Sequence, residues 1–167
     1  MNGSIIGASF GCAWGIAGAL ALPKPWQVWT VGFSIVISSV LIVASTLLQK
    51  RRPLRIFRAR IYGMAVVLEV AAILATIWLL EQLRLPHLLM PAIGFIVGLH
   101  FLGLWKATHL QVFFWTALTM CFVCGLSAFL PGTTADETID LRHSVAGLGT
   151  ALTLWGTCAW SLLMSDT

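Results

Sequence analysis

The sequence predicts an all-α polytopic integral membrane protein, a bundle of six transmembrane helices with both termini in the cytoplasm. Three observations lead there. Hydrophobic residues make up 59% of the 167 residues and charged residues only 10%, with a mean hydropathy of +0.93, whereas a soluble domain carries roughly 25% charged residues. Six apolar stretches each approach the length needed to cross about 30 Å of hydrocarbon at about 1.5 Å per residue. The cations lie mostly on one side of those stretches. Ten Lys and Arg with six Asp and Glu cannot coat a water-facing surface, so most of the surface faces lipid. Soluble enzymes, nucleic-acid-binding folds and disulfide miniproteins are thereby excluded as first readings.

The spans fall at Ile5 to Leu22, Trp26 to Leu48, Ile61 to Leu80, Leu88 to Trp105, Val112 to Leu130 and Val145 to Met164, in a single domain. Pro23, Lys24 and Pro25 break the first from the second, because proline cannot continue a helix from within. A basic run from Lys50 to Arg60 separates the second from the third. Arg84, Pro86 and His87 end the third, Lys106 to Gln111 divides the fourth from the fifth, and Pro131 and Gly132 stop the fifth. Ala19-Leu20-Ala21 resembles a signal-peptide cleavage site, but Met1 to Ser4 carry no cation, so the first stretch is expected to remain as a helix.

Orientation follows from the cations. Lys50, Arg51, Arg52, Arg55, Arg58, Arg60 and Lys106 lie on one side, against Lys24, Arg84 and Arg142 on the other. The positive-inside rule makes the richer side cytoplasmic, and the cell membrane is the expected location. Trp26, Trp29 and Trp78 then sit near the outer boundary, Trp105, Trp115 and Trp160 near the inner one, and Trp14 at mid-depth. The segment Lys50 to Arg60 is expected to lie on anionic lipid headgroups, where each cation contributes about 1 kcal/mol. With phosphates that close and no soluble domain beside it, nucleic acid is not an expected partner.

Lipid tails are as apolar as leucine, so helices in a bilayer associate through small residues that let them approach closely. Gly7, Gly11 and Gly15 form such a stripe on the first helix, extended at Gly18. Gly94 and Gly98 repeat it on the fourth, Ser34 and Ser38 on the second, and Gly147 and Ala151 on the sixth. The first stripe is a plausible homodimer contact. Ile6-Gly7 with Gly11 and Ile93-Gly94 with Gly98 hint at an inverted duplication of three helices, but the halves do not otherwise align.

Glu69 is the most informative residue, since a carboxylate inside a span is costly and usually faces protein or a water-filled cavity. It lies roughly 12 Å into the hydrocarbon. Tyr62, Ala65, Ala72 and Thr76 share its face, whereas Val67, Leu74 and Trp78 lie opposite. His100, roughly 8 Å from the cytoplasmic end of the fourth span, is its natural partner at similar depth. His100 also points away from Gly94 and Gly98, so that helix must be packed on both sides.

Other motifs are weaker. Cys121 and Cys124 form a C-x-x-C on one helical face, but near mid-bilayer and without a second pair for exchange. Asp136, Asp140 and His143 share metal-ligand spacing, but Thr134 followed by Glu137 reads more simply as a capping box. No phosphate-binding glycine loop, hydrolase elbow or HExxH is present, so neither a cofactor nor a metal is expected. The leading functional expectation is a non-enzymatic transporter or channel-like protein for a small solute or ion, with Glu69 and His100 as the ion- or proton-responsive residues. The alternatives are a membrane interaction protein, such as an assembly factor or sensor subunit, and a thiol-redox protein using Cys121 and Cys124.

Overall fold

The computed structural model describes residues 3–48, 59–132 and 139–164. Six α-helices account for nearly all of them: α1 (Gly3–Ala19), α2 (Lys24–Leu48), α3 (Ala59–Gln82), α4 (Leu89–Thr108), α5 (Gln111–Ala128) and α6 (Leu141–Leu163), with a 3-10 turn over Pro86–Leu88 leading into α4. Four of them, α2 to α5, are long and apolar enough to cross a membrane. The architecture is that of a helical membrane protein.

The helix ends fall where local chemistry puts them. α1 stops three residues short of the expected Leu22, and its last turn tightens as Leu20 N bonds Ile16 O and Ala17 O. Lys24 and Pro25 open α2, where proline's missing N–H is harmless. α4 ends on His109 in the left-handed conformation, its N–H bonded back to Trp105 O at 2.6 Å. α6 begins at Leu141, earlier than expected, because Asp140 caps it and accepts a hydrogen bond from His143 N at 3.0 Å. The proposed capping pair Thr134 and Glu137 lies outside the described residues, so the cap identified here is Asp140.

α6 is the central helix. It packs against α1, α5, α4 and α2, while α3 packs chiefly on α4 at the edge of the bundle. The two three-helix halves therefore differ: α4, α5 and α6 all touch one another, but α3 turns away from α1 and α2 toward α4. α1 and α6 run antiparallel along their full length. Ser4 Oγ lies 3.0 Å from Ser161 Oγ at one end, and at the other His143 Nε2 lies 3.1 Å from Ala17 O. Both ends of the described chain thus lie at the same end of the bundle.

Glycines set these spacings. A Cβ placed on Gly18 would come within 2.6 Å of Leu148 N, and one on Gly147 within 2.5 Å of Gly18 Cα, so the two backbones touch. Further along α1, Gly15 receives Ser34 Oγ of α2, Gly11 receives the Trp155 indole and Gly7 receives the Cys158 thiol. The α1 stripe is therefore filled by the chain's own α2 and α6. Those notches are therefore not open to a second copy along this face.

Trp155, 6% exposed, is the hub. Its Nε1 donates to Ser38 Oγ at 2.9 Å and Phe33 packs against it edge-on. Trp14, Met120, Ala151 and Leu154 complete the core cluster, which Ile37 and Leu41 of α2 and Met90, Ile93, Val97 and Phe101 of α4 close from two sides. The bulky residues at the periphery face outward instead: Trp26, Trp29 and Trp78 are 67%, 76% and 64% exposed.

Gly18→Leu or Gly147→Leu should destabilise the bundle by about 1–3 kcal/mol, the usual cost of overpacking, because the obstructing atoms belong to backbone. Gly32→Leu, where an added Cβ meets nothing within 4 Å, should leave stability unchanged. Thermal unfolding of the purified variants in detergent measures the contrast, and equal melting temperatures would refute the backbone-contact account.

Candidate functional site

Glu69 stands about 15 Å along α3 from its first residue, and His100 about 12 Å from the end of α4, so both lie well inside their helices. His100 Nδ1 is 3.2 Å from Glu69 Oε2, the one ion pair among the described residues, with side chains 11% and 19% exposed respectively. The nitrogen is buried and the contact does not meet hydrogen-bond geometry. The two groups are therefore in close contact without an aligned N–H bond between them.

The surroundings follow from the α3 face. Ala65 packs on Gly103 of α4, where an added Cβ would come within 2.6 Å of the alanine Cβ. That close approach draws α3 onto α4 beside the pair. The Tyr62 ring lies edge-on to His100 with centroids 6.5 Å apart, and Phe101 flanks the imidazole at 6.1 Å. Ala72 and Thr76 are half-buried along the same stripe. Val67, Leu74 and Trp78 are exposed on the opposite face, as their helical phase requires.

α4 carries its second seam on the far side. Gly94 receives the Cys124 thiol and Gly98 the Cys121 thiol, so both cysteines fit into glycine notches. Cys124 Sγ also lies 3.4 Å from Thr150 Oγ1, and Cys121 Sγ 3.7 Å from Phe95 O. The C-x-x-C is an α4–α5 packing motif in this geometry. Cys12 and Cys158 are free thiols as well.

The remaining expected residues are distributed as follows. Arg60 is exposed in the first turn of α3. Lys50, Arg51, Arg52, Arg55 and Arg58 lie outside the described residues, as does Asp136. Asp140 and His143 are engaged with the α6 N-terminus and with α1, and no group of three or more potential metal ligands occurs among the described residues. Sequence reasoning missed Trp155 as the core hub. Its only signal was a bulky aromatic side chain one helical turn from Ala151, which is too common to single out.

Chemically, a carboxyl and an imidazole in contact hold one proton between them in a net-neutral state, whichever of the two carries it. Gaining or losing a proton places a net charge at mid-helix, where it is costly. Comparison of the chain with family models, with curated proteins and with solved structures finds no match.

A double-mutant cycle on Glu69→Gln and His100→Asn should show a coupling of about 1 kcal/mol in unfolding free energy. Strictly additive effects would mean that the two side chains are neighbours without interaction.

Proposed function

We propose that this chain is a small, non-enzymatic transporter of the cell membrane, moving a small solute or ion with proton coupling through Glu69 and His100. The observation that carries the reading is the 3.2 Å Glu69–His100 contact deep within two apolar helices. Intramembrane ionisable residues are rare, pair with one another and mark ion paths and proton relays.

Six crossings with both termini cytoplasmic complete the proposal. α1 and α6 were not among the four helices whose length and apolarity suffice alone. Their antiparallel contact over their full length, with Ser4 beside Ser161, favours counting them as spans. Arg60 and Lys106 then share one end of the bundle, and Lys24, Arg84 and Arg142 the other. The basic segment from Lys50 to Arg60 would rest on anionic headgroups.

Of the transporter and channel-like forms, the filled centre favours a transporter. Trp14, Met120, Leu154 and Trp155 occupy the bundle axis, whereas the ion pair lies in the α3–α4 seam at its edge. A path would run along that seam, opened by movement of α3. The edge position of α3 also favours a second reading, a membrane interaction protein that docks a partner against this helix. The thiol-redox reading has no comparable support, since each sulfur of the pair is engaged by a glycine notch.

In proteoliposomes, flux of the transported species should depend on pH, and Glu69→Gln should reduce it at least tenfold while the protein stays folded. His100→Asn should shift the pH dependence. Unchanged flux in Glu69→Gln would remove the carboxyl from the mechanism, and absence of flux for every ion or solute tested would favour the interaction protein.

A further inference from the structure

A groove of about 550 Å³ runs between α5 and α6 on the flank of the bundle away from Glu69. We propose that it binds the glycerol backbone of an uncharged, diacylglycerol-type membrane lipid. The groove begins at Gln111, the first residue of α5, and reaches Thr119 about 12 Å further along the helix. Trp115 and Trp160 stand at its sides, 60% and 56% exposed. Tryptophans placed near helix ends in this way sit at the level of lipid headgroups and ester groups.

Its lining has the polarity of that layer. No Asp, Glu, Lys or Arg contributes, so a phosphate would find no counter-charge. Hydroxyls do contribute, from Thr116, Thr119, Thr153 and Thr157, an unusual concentration on a flank otherwise built of exposed leucine and phenylalanine such as Leu118, Phe122 and Leu126.

Hydrogen counting shows what these hydroxyls offer. Thr116 Oγ1 lies 2.8 Å from Val112 O, Thr157 Oγ1 lies 2.8 Å from Thr153 O, and the two hydroxyls are 2.7 Å apart. Two hydrogens serve three contacts, since each hydroxyl has one hydrogen and two lone pairs. Acceptor capacity is left over, and it faces the groove at the half-buried Thr157, since Thr116 is only 2% exposed, which suits a ligand hydroxyl. Gln111 and the two indoles bring N–H donors for ester carbonyls, and the first turn of α5 has no side-chain cap. An alcohol beside two esters is the head of a diacylglycerol. Its acyl chains would continue past Leu152, which is 60% exposed.

Gly156 leaves the groove open, for a Cβ added there meets nothing within 4 Å. Gly156→Leu therefore fills the site without pressing on the fold. The inference needs α5 and α6 to lie in a bilayer, as proposed above, but not the transport role of Glu69. The test places the purified protein in phosphatidylcholine nanodiscs with a trace of photoreactive diacylglycerol and maps the crosslinks by peptide mass spectrometry. Labelling should concentrate on residues 111–119 and 152–160 and fall at least tenfold in Gly156→Leu at an unchanged melting temperature. Glu69→Gln should label like the unmodified protein. Should Gly156→Leu lower the melting temperature, Thr119→Val, which removes a groove hydroxyl outside the Thr116–Thr157 pair, should still reduce labelling several-fold. Equal labelling of the groove variants and the unmodified protein would overturn the proposal. So would equal labelling by a photoreactive phosphatidylglycerol, which would make the groove ordinary lipid-facing surface. Release of the protein from membranes by alkaline carbonate would instead refute the membrane-spanning reading itself.

Discussion

The backbone contact between α1 and α6 at Gly18 and Gly147 is the constraint on which the rest of the bundle depends. Leucine–leucine burial brings little advantage where the solvent is itself hydrocarbon, so a membrane bundle is held by close packing and by hydrogen bonds that close packing permits. Two helices that touch through glycine bring their other small residues into range as well. Ser4 reaches Ser161, and the Trp155 indole lies in the notch at Gly11. Once that indole is fixed, its N–H selects Ser38 and so positions α2.

The same logic, applied twice on α4, produces the candidate site. One face of that helix presents Gly94 and Gly98 to the cysteines of α5, and the other presents His100 and Gly103 to α3. The two attachments differ in kind. On the α5 side sulfur atoms fill notches, and the seam is apolar apart from weak thiol contacts. On the α3 side a glycine–alanine contact sits beside an ion pair. Among the described residues α3 has little other packing, so the Glu69–His100 contact bears on how firmly it is held. In the proposed transport role, the contact that secures this edge helix is the one that would have to part.

Much of this was legible in the sequence, for identifiable reasons. Helix positions follow from apolar length and from prolines, and the glycine stripes follow from every-fourth-residue spacing. The phase of α3 put Glu69 with Ala65 and Thr76 and away from Val67 and Trp78, because helical periodicity fixes a face without reference to any neighbour. The requirement that α4 pack on two sides came from His100 and Gly98 pointing apart. What stayed hidden was pairing. Nothing local says that Gly7 faces Cys158 or that Thr116 meets Thr157, since those partners lie far apart in sequence. The importance of α6 was obscured for the same reason, because Thr150, Thr153 and Thr157 make it the less apolar helix although it occupies the centre. The cap of α6 was not foreseen, because Asp140 carries no signal beyond its type.

Filling the centre of the bundle limits the mechanisms open to the proposed transport. A bundle with Trp155 and Met120 on its axis has no room for a standing aqueous column there, and opening one would part the α1–α6 backbone contact on which the fold rests. The α3–α4 seam is different, because separating it sacrifices one alanine–glycine contact and one ion pair while leaving α6 and its four neighbours in place. A carboxyl and an imidazole in contact add an electrostatic contribution to that separation which the purely apolar seams lack. Among motions that this packing permits, displacement of α3 is the one that disturbs fewest contacts.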